Sequence, residues 1–264
     1  MTVVRRFRDD ATPPRPAPMV RDLLVRGLAP MLALIMMGLA AGSLVTGRLS
    51  GWLQEDRLNR ALQQGRSPLL DEIARSASAI GGVSGNIAIC IVATAIVLLV
   101  GRQWWLACVP VVALNLHTFV HLTTSTLVGR DRPGVEQLDV GQPTASFPSG
   151  HMGATTAQLL VLLLFASSFL PVRRWRVLLA VVTAGYLIVL GWSRLYLGMH
   201  HVADVAWGVV NGIACGLAGW MFLRRSPRAP GEASGLSASG ANQRVQPVRG
   251  EAQRDGRDQN LAEG

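Results

Sequence analysis

Six apolar segments, each about 20 residues long, constrain this chain more than any other feature of its sequence. A helix of that length crosses the hydrocarbon core of a bilayer, where every backbone polar group must be satisfied within the segment. The pattern therefore predicts an all-α, polytopic membrane protein built as a bundle of six transmembrane helices. The predicted spans are residues 28–46, 77–100, 104–127, 152–170, 177–197 and 203–223.

Composition agrees with this prediction and divides the chain into three parts. Only 16% of the 264 residues are charged, against about 25% in soluble domains. We expect a flexible cytoplasmic leader over 1–27, a six-helix membrane domain over 28–223 and a disordered cytoplasmic tail over 224–264. The net charge of +9 is not accompanied by an aromatic-basic patch or zinc-ligand spacing, so we expect no nucleic-acid partner.

Arginine positions predict the orientation of the chain. The leader is rich in arginine, and further clusters lie at 173–176 and at 224–225. With six crossings these three regions share one side of the membrane, which the positive-inside rule makes cytoplasmic. The loops around 129–148 and 194–203 then face the extracytoplasmic side.

The loop 47–76 departs from that rule, because it carries several arginines on the predicted outer side. Its basic residues are Arg48, Arg57, Arg60, Arg66 and Arg75, partly balanced by Glu55, Asp56, Asp71 and Glu72. Within it, residues 52–64 have apolar positions at helical spacing and predict a short amphipathic helix. Two placements remain open, one flat on the membrane surface and one packed on the protein as a connector.

Three polar clusters lie at predicted outer ends of the apolar segments. They are GRDRP at 129–133, PSGH at 148–151 and SRLYLGMHHVAD at 193–204. Charged groups beside the hydrocarbon core are costly and therefore indicate function. Because successive spans alternate in direction, these distant clusters can meet at one site.

The residues of these clusters suit a phosphate ester. Arg132 and Arg194 offer planar forks of N–H donors that match phosphate oxygens. Ser149 is well placed to cap a helix, and Gly150 would let the backbone approach an anion closely. A helix beginning there directs free N–H groups towards a bound phosphate.

Two histidines and an aspartate complete a mechanism. His200 and Asp204 are four residues apart and share a helix face, so the carboxylate can hold one ring N–H while the other nitrogen attacks phosphorus. His151 can protonate the leaving oxygen and then activate water. Arginines and backbone amides supply the positive field, so we expect no metal and no cofactor.

These motifs resemble the type 2 phosphatidic acid phosphatase (PAP2) superfamily, in its membrane lipid phosphatase branch. The family pattern is Lys-x6-Arg-Pro, Pro-Ser-Gly-His and Ser-Arg-x5-His-x3-Asp, and the second and third parts match completely at 148–151 and 193–204. The resemblance implies His200 as nucleophile, Asp204 as its partner and His151 as acid and base. It also implies that the substrate phosphate is bound by Arg132, Ser149, Gly150 and Arg194.

The first part of the pattern matches only in part. Arg132 and Pro133 are present, but the family lysine falls on Ser125. We hypothesise that Arg130 supplies the missing charge to the substrate phosphate, with His121, one turn before Ser125, as a weaker candidate.

Two further histidines have simpler interpretations. The spacing of His117 and His121 would suit a metal, but no acidic partner or third ligand is evident, so packing within the helix bundle is favoured. His201 points away from the face of His200 and is interpreted as a rim residue.

The sequence therefore predicts a membrane lipid phosphatase with an extracytoplasmic active site that works through a phosphohistidine. Its substrate would be an isoprenoid carrier diphosphate, such as undecaprenyl diphosphate, or a lipid of the phosphatidic acid or phosphatidylglycerol phosphate type. The alternatives are a phosphotransferase to a non-water acceptor and a catalytically silent lipid-phosphate binder or transporter. The bilayer and the lipid substrate are the expected partners, and the sequence leaves the oligomeric state open.

Overall fold

A computed structural model describes residues 21, 24–47, 56–141 and 143–221. The predicted tail and most of the predicted leader lie outside these residues. Within them, a π-helical turn, Leu24–Leu28, runs directly into the first of eight α-helices, and no strand occurs. The α-helices are α1 (Ala29–Thr46), α2 (Asp56–Gln64), α3 (Pro68–Gly81), α4 (Val83–Gly101), α5 (Trp104–Val128), α6 (Gly150–Phe169), α7 (Arg173–Tyr196) and α8 (Val202–Met221).

Six of these helices are long and apolar enough to cross a membrane, which confirms the predicted all-α bundle. They are α1 together with its π-helical turn, and α4 to α8. Many of their large side chains face outward, including Ile91, Leu99 and Ile188. Such an outer surface is expected where a protein contacts lipid rather than water.

The second predicted span combines the end of one helix of the structure with the helix that follows it. The prediction began the second span at residue 77, whereas α3 ends at Gly81 and α4 begins at Val83. The backbone at Gly82 is extended, with φ −73° and ψ −178°, and this turns the chain between the two helices. The apolar residues continue through the break, so hydropathy alone did not reveal it.

The short helix α2 settles the question that the sequence left open. Asn59 on α2 is completely buried, and its amide donates to the carbonyls of Leu195 and His200 at 2.8 and 3.1 Å. Gln63, one turn later, donates to the carbonyl of Tyr196 at 3.0 Å. The helix is thus a connector packed on the protein, and it holds the loop between α7 and α8.

The centre of the bundle is α6, which packs closely against α8. Glycines of α8 face the backbone of α6. A Cβ atom at Gly208 would lie 2.7 Å from the carbonyl oxygen of Ser149, and one at Gly212 would lie 2.5 Å from that of Gly153. Small residues at such positions let two membrane helices approach closely. This contact brings the start of α8 beside the start of α6.

The alternation of the spans sets the side on which each loop lies. The segments that follow α1, α5 and α7 all lie on one side, because these three helices run in the same direction. The PSGH turn, the GRDRP segment and the loop carrying His200 are therefore at the same end of the bundle.

Candidate active site

Five of the eight residues proposed from the sequence line one cavity of about 460 Å³. They come from the segment after α5, the first turn of α6, the end of α7 and the loop before α8. The five residues are Arg132, Gly150, His151, Arg194 and His200. The structure thus brings the three sequence clusters together at one place.

His200 is held with one ring nitrogen engaged. Its Nδ1 lies 2.7 Å from the backbone carbonyl oxygen of Ser146. A carbonyl only accepts hydrogen bonds, so Nδ1 carries the proton and Nε2 keeps its lone pair. His200 is 4% exposed. Burial, followed by the charge of Arg194, lowers its pKa well below the usual value, although Asp204 acts in the opposite direction.

The structure corrects the expected contact between Asp204 and His200. The nearest carboxylate oxygen is 3.9 Å from His200 Nδ1, which is too long for a hydrogen bond. The carbonyl of Ser146 occupies that position instead. The four-residue spacing places the two side chains near each other, but His200 lies in the loop before α8, where the helical rule does not apply.

Hydrogen bonds link Asp204 to His200 through Ser146. The hydroxyl of Ser146 donates to Asp204 Oδ2 at 2.5 Å, while the carbonyl of the same residue holds His200. Oδ2 also accepts from the backbone N–H of His201 at 2.8 Å, and His201 Nδ1 lies 3.2 Å away. Asp204 is completely buried, so these bonds and one ion pair replace its lost hydration. His201, which the sequence suggested as a rim residue, contacts this carboxylate.

Arg130 does not line the cavity that contains His200, and this corrects the hypothesis that it binds substrate phosphate there. Its guanidinium donates to Asp204 Oδ1 in an ion pair. Its carbonyl accepts from the backbone N–H of Ser146 at 2.8 Å. The buried carboxylate attracts the nearest cation, so Arg130 stabilises Asp204.

The two cavity arginines are fixed by different partners. Arg132 donates to the carbonyls of Met199 and Thr144, at 2.9 and 3.2 Å. Arg194 donates to the hydroxyl of Ser78 and, at 2.8 Å, to Asp139. Its Nε is buried and has no hydrogen-bond partner among the described residues.

Asp139 completes the support of Arg194. Burial alone would raise the pKa of Asp139, but hydrogen bonds from Ser78 and Arg194 outweigh it and hold that pKa below its usual value. The carboxylate of Asp139 therefore stays charged and holds one edge of the Arg194 guanidinium. Nε lies on another edge of the same group and is not engaged by Asp139.

The PSGH turn begins α6 as the sequence predicted. Ser149 is the N-cap residue, and its hydroxyl accepts from the backbone N–H of Met152 at 3.5 Å. This buried hydroxyl is not part of the cavity lining, whereas Gly150 and His151 are. A Cβ atom at Gly150 would lie 2.8 Å from His121 Nε2, so glycine is required for the ring to pack there.

His117 and His121 line the same cavity, while Ser125 does not. The two imidazoles are stacked, with centroids 5.8 Å apart. Ser125 is 1% exposed, and its hydroxyl donates to the carbonyl of Ala145 at 3.3 Å. Within the described segments, no group of three or more His, Cys, Asp or Glu has the arrangement of a metal site.

Four residues that support the site have no counterpart among the sequence predictions, namely Asn59, Ser78, Asp139 and Ser146. Asn59 and Gln63 lie one turn apart beside an apolar position of α2, Leu62, and this pair of amides is a signal that sequence reasoning could have used. Ser146 acts through its backbone carbonyl as well as its hydroxyl, and the carbonyl contact has no sequence signature.

The sequence model of the PAP2 superfamily matches residues 104–228. The chain is 36% identical over 107 residues to the protein named "Putative undecaprenyl-diphosphatase YbjG" of Escherichia coli (strain K12), covering 39% of this chain and 49% of that one. It is 26% identical over 160 residues to Phosphatidylglycerophosphatase B of Bacillus subtilis (strain 168), covering 60% of this chain and 78% of that one. The match thus spans about half the length of the first relative.

Solved structures share the fold. The crystal structure of a transmembrane PAP2 type phosphatidylglycerolphosphate phosphatase from Bacillus subtilis has a TM-score of 0.61 and 19% identity, covering 83% of this chain and 98% of that one. That of Aquifex aeolicus LpxE has a TM-score of 0.50 and 23% identity, covering 64% of this chain and 95% of that one. With its six apolar helices, this chain is a multi-pass membrane protein.

Proposed function

Because this chain belongs to the PAP2 superfamily through its residues 104–228, we propose that it is a membrane phosphatase that hydrolyses a lipid phosphate or diphosphate. The arrangement of His200 carries this proposal. A buried imidazole with Nδ1 bound to a carbonyl presents an unprotonated Nε2, and two arginines line the same cavity. A nucleophile held in the neutral tautomer beside a cationic anion site is suited to phosphoryl transfer.

The proposed reaction has two steps. In the first, His200 Nε2 attacks phosphorus, the bond from phosphorus to the leaving oxygen breaks, and His151 gives that oxygen a proton. In the second, His151 takes a proton from water as the water oxygen attacks phosphorus. The phosphorus–nitrogen bond then breaks, releasing phosphate and restoring His200. Arg132, Arg194 and the first N–H groups of α6 stabilise the charge on the phosphoryl oxygens.

The apolar part of the cavity supports a lipid substrate. Away from the arginines, its lining includes Val83 and Ile87 of α4 and Leu114 and Leu122 of α5. Ile87 is 50% and Leu122 is 47% exposed on the outer surface of the bundle. An acyl or isoprenoid chain can occupy this region and stay in the bilayer while its phosphate reaches His200.

Loop charge supports an extracytoplasmic active site. Arg173, Arg174 and Arg176 lie at the opposite end of the bundle from the cavity, and the positive-inside rule places them in the cytoplasm. Both termini would then be cytoplasmic. Cysteine-accessibility labelling of residues introduced at Arg174 and at Val140 tests this orientation, and modification of position 174 from outside intact cells would contradict it.

The names of the relatives suggest the substrate panel. Purified full-length protein is assayed for phosphate release from undecaprenyl diphosphate, phosphatidylglycerol phosphate and phosphatidic acid, with and without a chelator. We expect chelator-resistant release from at least one lipid, and loss of that release in His200→Ala. Chromatography and thermal unfolding show whether His200→Ala remains folded.

The panel also separates the alternatives. Transfer of phosphate to an added alcohol in preference to water would favour a phosphotransferase. Binding of lipid without release by wild-type protein would favour a silent binder or transporter. Release that disappears with chelator would contradict the metal-independent mechanism.

A further inference from the structure

A second cavity of about 620 Å³ lies at the same end of the bundle as His200. It is formed by the end of α1, the start of α2, the end of α5 with the segment after it, and His201. Four arginines and two aspartates line it, so its formal charge is positive. These charged residues are Arg57, Arg60, Arg130, Arg132, Asp56 and Asp131.

Arg57 and Arg60 are the unexplained members of this group. They are three residues apart on α2 and both are exposed, while Asn59 between them is buried against the loop before α8. Among the residues that the structure describes, neither arginine has an ion-pair partner. Unpaired guanidinium groups that converge on one cavity are typical of a site for phosphate oxygens.

The position of these arginines also conflicts with the charge rule for membrane proteins. They lie on the cavity side of the bundle, opposite the arginine cluster at 173–176. Positive charge normally accumulates on the cytoplasmic side alone. Arginines kept on the other side therefore indicate a binding role rather than an orientation signal.

The position of the cavity suggests the chemistry of its ligand. Its lining includes Val45 and Thr46 at the end of α1 and Val128 at the end of α5. These are the last residues of two membrane spans, so the cavity lies where lipid headgroups meet water. Arg132 lines this cavity and the one containing His200, and the two are therefore neighbours.

We propose that this second cavity binds a phosphate-bearing anion, separately from the phosphate that reacts at His200. Two sources carry this chemistry, namely the headgroup of an anionic phospholipid and inorganic phosphate. The inference rests on the proposed function in two respects, because the inorganic phosphate would be the released product and because Arg57 and Arg60 depart from the charge rule only in the proposed orientation.

The test removes the two exposed arginines and leaves the cavity of His200 intact. Full-length Arg57→Gln/Arg60→Gln is compared with Arg75→Gln/Arg102→Gln, which removes the same charge from exposed positions outside both cavities. A third variant, Arg57→Lys/Arg60→Lys, keeps the charge. Equal thermal unfolding temperatures establish that the variants are folded.

Two binding measurements distinguish the sources. In nanodiscs of phosphatidylcholine, inorganic phosphate is titrated by calorimetry. In native mass spectrometry, retention of phosphatidylglycerol is compared with that of phosphatidylcholine. Loss of two charge-assisted contacts should weaken the ligand's binding by about tenfold or more in the glutamine variant, with partial recovery in the lysine variant.

Each outcome decides the proposal. Weaker phosphate binding confined to the glutamine variant supports a site for inorganic phosphate. Weaker phosphatidylglycerol retention confined to it supports a headgroup site. If both ligands bind the glutamine variant as they bind the Arg75/Arg102 control, the inference is overturned. Catalytic turnover is measured separately. The second-site proposal can therefore be supported or overturned even if the protein has no phosphatase activity.

Discussion

The ion pair between Arg130 and Asp204 leads to a quantitative prediction for Arg130→Ala. The side chains are 9% and 0% exposed, so the substitution leaves a carboxylate without its cation in a water-excluded position. Breaking a buried pair in this way costs about 3–5 kcal/mol. Asp204 keeps its bonds from Ser146 and His201, which favours the lower end of that range.

An exposed ion pair provides the matched control. Arg66 pairs with Asp71 and Glu136, and its side chain is 35% exposed. Surface pairs are screened by solvent and contribute little, so Arg66→Ala should have a small effect. At about 2–4 °C per kcal/mol for a domain of this size, Arg130→Ala should lower Tm by roughly 6–20 °C, and Arg66→Ala should lower it much less.

The assay is thermal unfolding in detergent, followed by tryptophan fluorescence. A double-mutant cycle with Asp204→Asn should give a coupling energy of about 1–3 kcal/mol, because the two side chains act on each other. Additive effects, or equal shifts in Arg130→Ala and Arg66→Ala, would show that the Arg130–Asp204 pair does not stabilise the fold. If Arg130 instead bound substrate phosphate, Arg130→Ala would raise KM or lower kcat with little change in Tm.

Three further predictions concern the surroundings of His200. Asn59→Ala should destabilise the protein by about 1–3 kcal/mol, because the buried carbonyl of His200 and the part-buried carbonyl of Leu195 each lose a donor. It should also lower kcat by displacing the His200 loop, and unchanged unfolding and kcat would contradict this. Because the neutral form of His200 is reactive and burial lowers its pKa well below 6.5, kcat/KM should stay high until the pH is below 6.5. A loss of kcat/KM that begins above pH 7 would argue against neutral His200 as the nucleophile. His121→Ala should lower kcat/KM about tenfold and Ser125→Ala should lower it much less, because only the His121 imidazole lines the cavity. The opposite order in steady-state assays would show that Ser125 supplies the contact with the substrate phosphate.

Hydropathy predicted the membrane spans because the bilayer constrains the length and composition of every crossing helix. It joined α3 to the second span because the break at Gly82 is a change of backbone direction between two apolar helices. The placement of α2 could not be decided from amphipathicity, since a membrane surface and a protein surface both accept such a helix.

The candidate site was predictable to the extent that its chemistry resides in side chains at helix ends. Arg132, His151, Arg194 and His200 were identified in this way and meet in one cavity. The contacts that fix these side chains were harder to predict from the sequence. A backbone carbonyl holds His200, and Asp139, which is remote in sequence, holds Arg194. Contacts of this kind depend on tertiary packing.

The proposed reaction requires that Nε2 of His200 forms a bond to phosphorus. Rapid quenching of the wild-type protein during turnover of a ³²P-labelled lipid phosphate tests it most directly, with peptide mapping under alkaline conditions that preserve phosphohistidine. We predict label on the peptide containing His200 in the wild-type protein and none in His200→Ala. Turnover without label on that peptide, or continued phosphate release by His200→Ala, would contradict it.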